Sequence, residues 1–439
     1  MRTLAEWLTL HESVHPKSID MGLARIGTVA RALGVVELAF PVITVAGTNG
    51  KGSTVAHLEA LLRSLGACTG IFTSPHFIRY NERIRIDGRE VADTELIGAF
   101  ERIEAARGAV TLTFFEYSTL AALLTFEGRA VDVAVLEVGL GGRLDATNLV
   151  SADVAVLASV GFDHRDWLGD TLDLIGAEKA GIFRAARPAV LGTPDMPASV
   201  FASLKSSGAQ AIVAERDFRW QVRSGSWDYY GLHVTLPDLP PSALAGSIQY
   251  RNAATALAAV EALRGGATER APLRALQRRL AALDRSHAAA ALERVQLPGR
   301  FQIVPGAVEW ILDIAHNEPA ARVLASLLRE RPLPAATGAV RGRTLAVIGV
   351  LADKDAAAIG AALAPVIDHW ILCTLPGPRG TSAAELAARL ALPASSFELA
   401  ASVPAGLERA RLAARDGDRI VVCGSFFSVG PALKWLRIY

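Results

Sequence analysis

The chain reads as an α/β protein built from two doubly wound domains. Near-continuous apolar runs of strand length alternate with helical runs, the pattern of parallel sheets buried under helices on both faces. The alternation occurs twice, and Pro298–Gly299 in "RVQLPGR" (294–300) punctuates the chain between the two series. A length of 439 residues also exceeds what one hydrophobic core usually holds. The boundary is therefore expected between a domain of residues 1–296 and one of residues 297–439.

In the first series, "PVITVA" (41–46) is a short apolar strand, followed by a Gly-rich turn and the helix "STVAHLEALLRSLG" (53–66). "CTGIFTS" (68–74), "DVAVLEVG" (132–139), "DVAVLAS" (153–159), "AVLG" (189–192) and "AIVA" (211–214) continue the strands. "RWQVRSGSWDYYGLHVTL" (219–236) alternates and carries Gly and Ser turns, which predicts antiparallel strands. "NAATALAAVEALR" (252–264) is a helix. In the second series "EWILDIA" (309–315), "TLAVIGV" (344–350), "HWILCT" (369–374) and "RIVVCGS" (419–425) are the strands, with helices between.

Composition narrows the function. Hydrophobic residues make up 51% of the chain and charged residues 20%, with a formal net charge of +1. Such a balance offers no bulk field for nucleic acid or an anionic membrane. Three distant cysteines, Cys68, Cys373 and Cys423, suit a reducing cytoplasm rather than a disulfide framework or structural zinc. Charges and histidines interrupt the N-terminal "MRTLAEWLTLHESVH", so no signal peptide is expected. No uncharged apolar stretch reaches the ~18 residues of a membrane span.

Chemistry first shows in "VAGTNGKGST" (45–54). Strand, Gly-rich turn, lysine and helix follow one another as in a phosphate-binding loop. Gly47, Gly50 and Gly52 permit close approach of backbone to a ligand, and Lys51 adds a point charge. Yet the general G-x-x-x-x-G-K-[ST] spacing fails, and Gly52 stands where a metal-binding hydroxyl is normally found. Ser74, in "FTSPH" (72–76) at the end of the next strand, is a candidate replacement, with a simple strand-end turn as the competing reading. Glu137 ends a fully apolar strand, where an uncompensated carboxylate is costly; Mg²⁺ there would explain it, as would an ion pair. Gly139, Gly141 and Gly142 follow as a flexible loop, with Arg143 and Asp145 suited to a polar or anionic ligand. Asp163 and His164 in "GFDH" (161–164) arrive at the same sheet edge. Lys179 in "EKAGIF" (178–183) reads on its own residues as a surface helix lysine, although apolar neighbours could make it nucleophilic enough to take up CO₂. In the second series Asp313, His316 and Asn317, "VLADKD" (350–355) and "CGSFF" (423–427) end strands, as ligand groups or as helix caps and turns.

Taken together, "VAGTNGKGST", "TSPH", "TFFEYST", "LEVGLGGRLDATN", "FDHRDWLG", "EKAGIF", "LPGRFQ", "DIAHN", "GPRG" and "CGSF" closely resemble the folylpolyglutamate synthase and dihydrofolate synthase family of the Mur-ligase-like superfamily. A shortened G-T-N-G-K-G loop is a mark of that superfamily. The resemblance implies an N-terminal P-loop ATPase-like domain, a C-terminal Rossmann-like glutamate-ligase domain and an active site in the cleft between them. It implies an ATP-dependent carboxylate–amine ligase, in which a pterin-linked carboxylate becomes an acyl phosphate and L-glutamate attacks it. ATP would meet Gly47, Thr48, Asn49, Gly50, Lys51, Gly52, Ser53, Asn252, Arg300 and Asp313. One Mg²⁺ would take Ser74 and Glu137; a second would take His164 and a CO₂-derived carbamate on Lys179. Lys51, His164, Lys179 and His316 would be the catalytic set, with His316 and Ser425 on the glutamate side.

"KSIDMGLARI" (17–26) and "LTFFEYST" (112–119) look like the bifunctional form, which also accepts dihydropteroate. Ser18, Ile19, Asp20, Met21, Thr113, Phe114, Phe115, Glu116, Leu144, Asp145 and Ala146 would line its pterin pocket. Phe115 would stack on the ring, and Asp20 or Glu116 would accept its N–H groups. The expected substrates are dihydropteroate, reduced folates, L-glutamate and ATP, for a cytoplasmic monomer with no nucleic-acid or membrane partner; a monovalent cation could assist. Phe427 stands where relatives commonly have His, and Glu318 precedes Pro319 where Asn–Pro is common. The competing readings are a monofunctional folylpolyglutamate synthase, a Mur-type enzyme adding an amino acid to a nucleotide-linked cell-wall precursor, a P-loop kinase or regulatory NTPase, and a pure binding module.

Overall fold

The computed structural model describes residues 2–265, 271–333 and 342–439. They form two compact units: residues 1–161, 165–243 and 250–295, and residues 162–164, 244–249 and 296–439.

The first unit is organised by a sheet of β1 (Val42–Ala46), β2 (Thr69–Phe72), β3 (Ile84–Ile86), β4 (Arg89–Glu90), β5 (Val133–Glu137), β6 (Val154–Leu157), β7 (Pro188–Leu191) and β8 (Gln210–Val213). Their order is β4-β3-β2-β5-β1-β6-β7-β8. All pair in parallel except the β2-β3-β4 edge. β1, β5 and β6 are buried along their whole length, as expected of strands covered on both faces. Five helices frame the candidate site: α1 (Leu4–Val14), α2 (Ala24–Leu33), α3 (Lys51–Ser64), α4 (Asp93–Arg107) and α5 (Phe114–Gly128). One core packs Leu58, Leu61 and Leu62 of α3 with Val135, Val156 and the apolar face of the helix Ile248–Gly265. Another packs α1, α2, α4 and α5 with Phe72 and Leu136.

The alternating segment forms an antiparallel sheet of β9 (Arg219–Val222), β10 (Trp227–Tyr230) and β11 (Thr235–Leu239). Trp227 and Tyr229 point into the core, and the Tyr229 hydroxyl donates to Glu261 at 2.6 Å. Glu261 also accepts from the backbone N–H groups of Leu232, His233 and Val234, so this buried carboxylate has full hydrogen-bond compensation.

The second unit carries β12 (Gln302–Val304), β13 (Glu309–Leu312), β14 (Thr344–Ile348), β15 (His369–Cys373), β16 (Phe397–Ala400) and β17 (Arg419–Cys423). The order is β12-β13-β17-β14-β15-β16, parallel except for β12. The helix Glu318–Glu330 starts on Asn317, whose side chain accepts the Ala320 N–H, with Pro319 in the first turn. Pro there costs nothing, because that N–H has no helical partner. Glu318 therefore opens the helix rather than displacing its cap.

Candidate active site

The Gly-rich loop joins β1 to α3 and is tied to the end of β6. Thr48 N–H donates to Ser159 O at 2.9 Å, and the Thr48 hydroxyl donates to Gly161 O while accepting the Gly161 N–H. Asn49 N–H donates to the Ser159 hydroxyl, which donates back to Asn49 O. Gly50 has φ 87°, and a Cβ there would lie 3.1 Å from the Asn252 side-chain oxygen; left-handed backbone and close approach both require glycine. Gly52 and Ser53 lie buried in the first turn of α3, where backbone N–H groups and the helix dipole favour an anion.

Lys51 Nζ donates to Gly47 O at 2.8 Å and Thr48 O at 3.2 Å. Lys179 Nζ donates to the same Gly47 oxygen at 3.3 Å. Two ammonium groups thus converge on one carbonyl at the loop. Lys179 is not the surface lysine its local sequence suggests: it is 5% exposed, at the end of the helix Leu172–Ala180. The loop 139–147 packs on its backbone. A Cβ at Gly142 would lie 2.7 Å from Lys179 O, and Arg143 N–H donates to Glu178 O while its side chain pairs with the Glu178 carboxylate.

That loop, expected from its glycines to be flexible, is bridged by hydrogen bonds to Asp145. Asp145 is fully buried and accepts from Gly139 N–H, Leu140 N–H, Thr147 N–H and the Thr147 hydroxyl. Burial pushes its carboxyl up, partly offset by those hydrogen bonds. Both oxygens are thus engaged inside the protein, and Asp145 shapes the loop from within. Ala146 is buried beside it and Leu144 is half-buried.

Glu137 ends β5, 5% exposed, and accepts the Ser74 N–H at 3.4 Å. A carboxylate and a hydroxyl-bearing residue thus share adjacent strand ends. These hard oxygen donors fit Mg²⁺ or Mn²⁺. Among the described residues no three His, Cys, Asp or Glu side chains group together as a metal site. The Ser74 segment is fixed from below: Glu82 accepts the N–H groups of Phe77, Ile78 and Arg79, and Arg83 Nε donates to His76 Nδ1 at 2.8 Å. Burial and the Arg83 charge lower the His76 pKa to about 4. Arg83 is only 9% exposed, with its guanidinium over the rings of Tyr80 and Phe114.

The predicted pterin residues gather between α2 and α5. Thr113 caps α5, and Glu116 Oε2 accepts the Thr113 N–H at 2.7 Å. The Phe115 ring covers Gly139, where a Cβ would lie 2.7 Å away, and meets Phe72 at 5.6 Å between centroids. Asp20 and Glu116, expected as free acceptors, are already ion-paired. Arg25 reaches Asp20 at 2.6 Å and Glu116 at 3.3 Å, and His15 Nε2 lies 3.1 Å from Asp20. Burial raises the Glu116 carboxyl despite the backbone hydrogen bond and Arg25. Met21 approaches Gly141, Ile19 is half-buried and Ser18 is exposed.

In the second unit, Asp163 gathers four partners. Lys354 Nζ donates at 2.5 Å, Asn317 Nδ2 at 3.0 Å, and His316 Nε2 lies at 3.4 Å. His164, at φ 51°, donates its N–H to the same carboxylate, and its Nε2 lies 3.4 Å from Lys354 Nζ. Burial would raise the Asp163 carboxyl, but the His316 hydrogen bond and the Lys354 and His164 charges hold it far below the carboxylate range. His316 Nδ1 meets Ile314 O at 2.9 Å. Asp313 is half-buried, its carboxyl raised by desolvation, and it accepts from Phe301 and Ala315 N–H; Arg300 lies over the Phe426 ring. Ser425 caps the last helix through Phe427 N–H, and Phe427 is exposed. Arg25, Arg83 and Lys354 escaped the sequence reading. Lys354 lay in a quoted strand-end motif, whereas Arg83 is one of several charges in "RYNERIR" and carries no local signal.

Residues 45–260 match the Mur ligase middle domain, and residues 299–426 match the Mur ligase, glutamate ligase domain. The chain is 42% identical over 433 residues to a dihydrofolate synthase/folylpolyglutamate synthase of Escherichia coli, covering 98% of this chain and 95% of the relative. The solved structure of E. coli FolC in complex with DHPP and ADP superposes with TM-score 0.89 at 40% identity, covering 100% and 98% of the two chains. A bifunctional folylpolyglutamate synthase/dihydrofolate synthase with Mn, AMPPNP and L-glutamate bound matches with TM-score 0.87 at 38% identity, covering 100% and 98%.

Proposed function

This chain belongs to the dihydrofolate synthase/folylpolyglutamate synthase family of Mur ligases, and from that premise we propose that it joins L-glutamate to dihydropteroate and to reduced folates at the expense of ATP. The carrying observation is the convergence of Lys51 and Lys179 on Gly47 O, beside the Ser74–Glu137 pair. Cations there hold phosphates, and oxygen donors nearby hold a divalent metal.

In the first step a substrate carboxylate oxygen bonds to the γ-phosphorus of ATP. The bond to the β–γ bridging oxygen breaks and its electron pair leaves with ADP. The glutamate amine then attacks the acyl carbon, loses a proton, and phosphate leaves. Lys51, the α3 N-terminus and loop N–H groups bind the transferring phosphoryl group. Bound Mg²⁺ supplies further neutralisation of phosphate charge. Ser74 and Glu137 would hold one ion. His164 and a carbamate on Lys179 would hold a second, and a monovalent cation could assist. A carbamate replaces one of two converging cations with an oxygen donor, and its remaining N–H can keep the bond to Gly47 O.

In this reading residues 1–296 are the ATP-binding domain and residues 297–439 the glutamate-ligase domain. Asn252, Arg300 and Asp313 serve ATP, and His316 and Ser425 serve glutamate. Ser18, Ile19, Asp20, Met21, Thr113, Phe114, Phe115, Glu116, Leu144 and Ala146 serve the pterin, and Asp145 serves it only indirectly, by holding the loop. Related solved structures that hold ADP, DHPP, AMPPNP and L-glutamate support small-molecule partners. We read the protein as a cytoplasmic monomer without nucleic-acid or membrane partners; no helix among the described residues is long and apolar enough to cross a membrane.

The test incubates the protein with ATP, Mg²⁺, L-glutamate and either dihydropteroate or tetrahydrofolate, and measures ADP and glutamylated product. Product from both supports the proposal. Product only from tetrahydrofolate reduces it to a monofunctional synthase. ADP release independent of glutamate and pterin replaces it with an NTPase.

A further inference from the structure

Arg83 ends the 3₁₀ turn Tyr80–Arg83 and leads into β3. Its Nε is used inside the protein, on His76. Its two terminal amines have no hydrogen-bond partner among the described residues; the residue is only 9% exposed, yet neither amine is among the fully enclosed unpartnered atoms, so both keep an opening. Buried guanidinium groups ordinarily meet a carboxylate or several carbonyls, because desolvating an unpaired cation is costly. The aromatic rings of Tyr80 and Phe114, at 5.7 and 5.3 Å, offset only part of that cost.

Its surroundings say which anion fits. Arg83 O accepts the Thr73 N–H at 2.9 Å and Arg83 Nε holds His76, so the residue braces both sides of Ser74, the candidate metal hydroxyl. Phe114 is the first residue of α5 and precedes Phe115, the candidate pterin-stacking ring. Arg83 thus stands where the metal end of the site meets the ring end. A substrate with a flat ring at one end and a reacting carboxylate at the other passes this point with the carboxylate toward the phosphates.

We propose that Arg83 is a substrate-binding catalytic residue: its two terminal amines take the carboxylate of the pterin-linked substrate in a bidentate grip and hold it through attack on the γ-phosphoryl group. The proposal rests on the ligase reading above. A planar fork suits two carboxylate oxygens, and a lysine at this position cannot reproduce it. The gripped carboxylate keeps one oxygen lone pair directed at phosphorus, and Arg83 remains protonated throughout.

The test compares equilibrium binding of dihydropteroate with that of its carboxamide, in which the acid is a neutral amide, with ADP and Mg²⁺ present. The full-length wild type, R83M and R83K are measured, and thermal melting confirms that each variant folds. The wild type should prefer the acid. R83M should lose roughly 10- to 100-fold for the acid, the size of a charged hydrogen-bonded contact, with no change for the amide. R83K should fall between. Equal loss of both ligands would make Arg83 a structural residue and overturn the proposal, as would a wild type indifferent to the carboxylate. A wild type that binds neither ligand would instead overturn the pterin-substrate reading on which the proposal stands.

Discussion

Lys354 Nζ lies 2.5 Å from Asp163 Oδ1, with side-chain exposures of 5% and 8%. The pair is anchored further by Asn317 and His316. Removing one member strands a buried charge. Lys354→Met should therefore cost about 3–5 kcal/mol of stability, whereas the double change with Asp163→Asn should cost less than the two single changes summed. Urea unfolding of the four proteins measures this, and an unshifted midpoint for Lys354→Met would refute it.

Gly50 is held at φ 87° with Asn252 against it, while Gly66 has φ 75° and open space around it. Both should lose about 1–2 kcal/mol on change to Ala, from left-handed strain. Only Gly50→Ala should also weaken ADP binding by calorimetry. Equal ADP affinity in the two variants would separate Asn252 and this turn from the nucleotide.

His57 is buried on α3, its Nδ1 donating to Ser53 O at 2.7 Å and its Nε2 accepting from Ser242 Oγ at 2.9 Å. Burial lowers its pKa from 6.5 to about 4, against the backbone hydrogen bond. The folded pKa is depressed, so the unfolded chain takes up the proton first as pH falls. Stability is fully present above pH 6.5 and is lost toward pH 4. At pH 5 this amounts to about 2 kcal/mol. His57→Gln should lose less stability between pH 7 and pH 5 than the wild type in parallel melts. An identical pH slope would show that His57 does not titrate this way.

Lys179 should carry a CO₂-labile mass increment of roughly 44 Da when bicarbonate and divalent metal are supplied, because a metal needs oxygen ligands. Native mass spectrometry across a bicarbonate series reads it, with Lys179→Arg as the unreactive control. A plain lysine at saturating bicarbonate would end the carbamate proposal.

Ser74→Ala and Glu137→Gln should weaken Mn²⁺ binding, read by electron paramagnetic resonance in the presence of ADP, with the larger loss for Glu137→Gln, which removes a charge as well as a donor. Unchanged Mn²⁺ affinity in both variants would move the metal elsewhere.

The alternating apolar runs foretold both sheets, since a strand buried on both faces must be apolar throughout, as β1, β5 and β6 are. Glu137 was legible for the same reason: a charge closing such a run demands compensation. The Gly-rich loop was legible because its glycines and lysine act on a ligand through local backbone geometry. Lys179 was not, because its burial depends on remote segments: its Nζ meets Gly47 O and Gly142 lies against its backbone.

Local chemistry along the chain therefore determined the α/β architecture, the phosphate loop and the strand-end carboxylate. Tertiary structure alone decided the pairings. It placed Arg25 between Asp20 and Glu116, set Arg83 on His76, and gathered Lys354, His316 and Asn317 on Asp163. A charged residue's local sequence says that it needs a partner; only the packing of remote segments says which one it has.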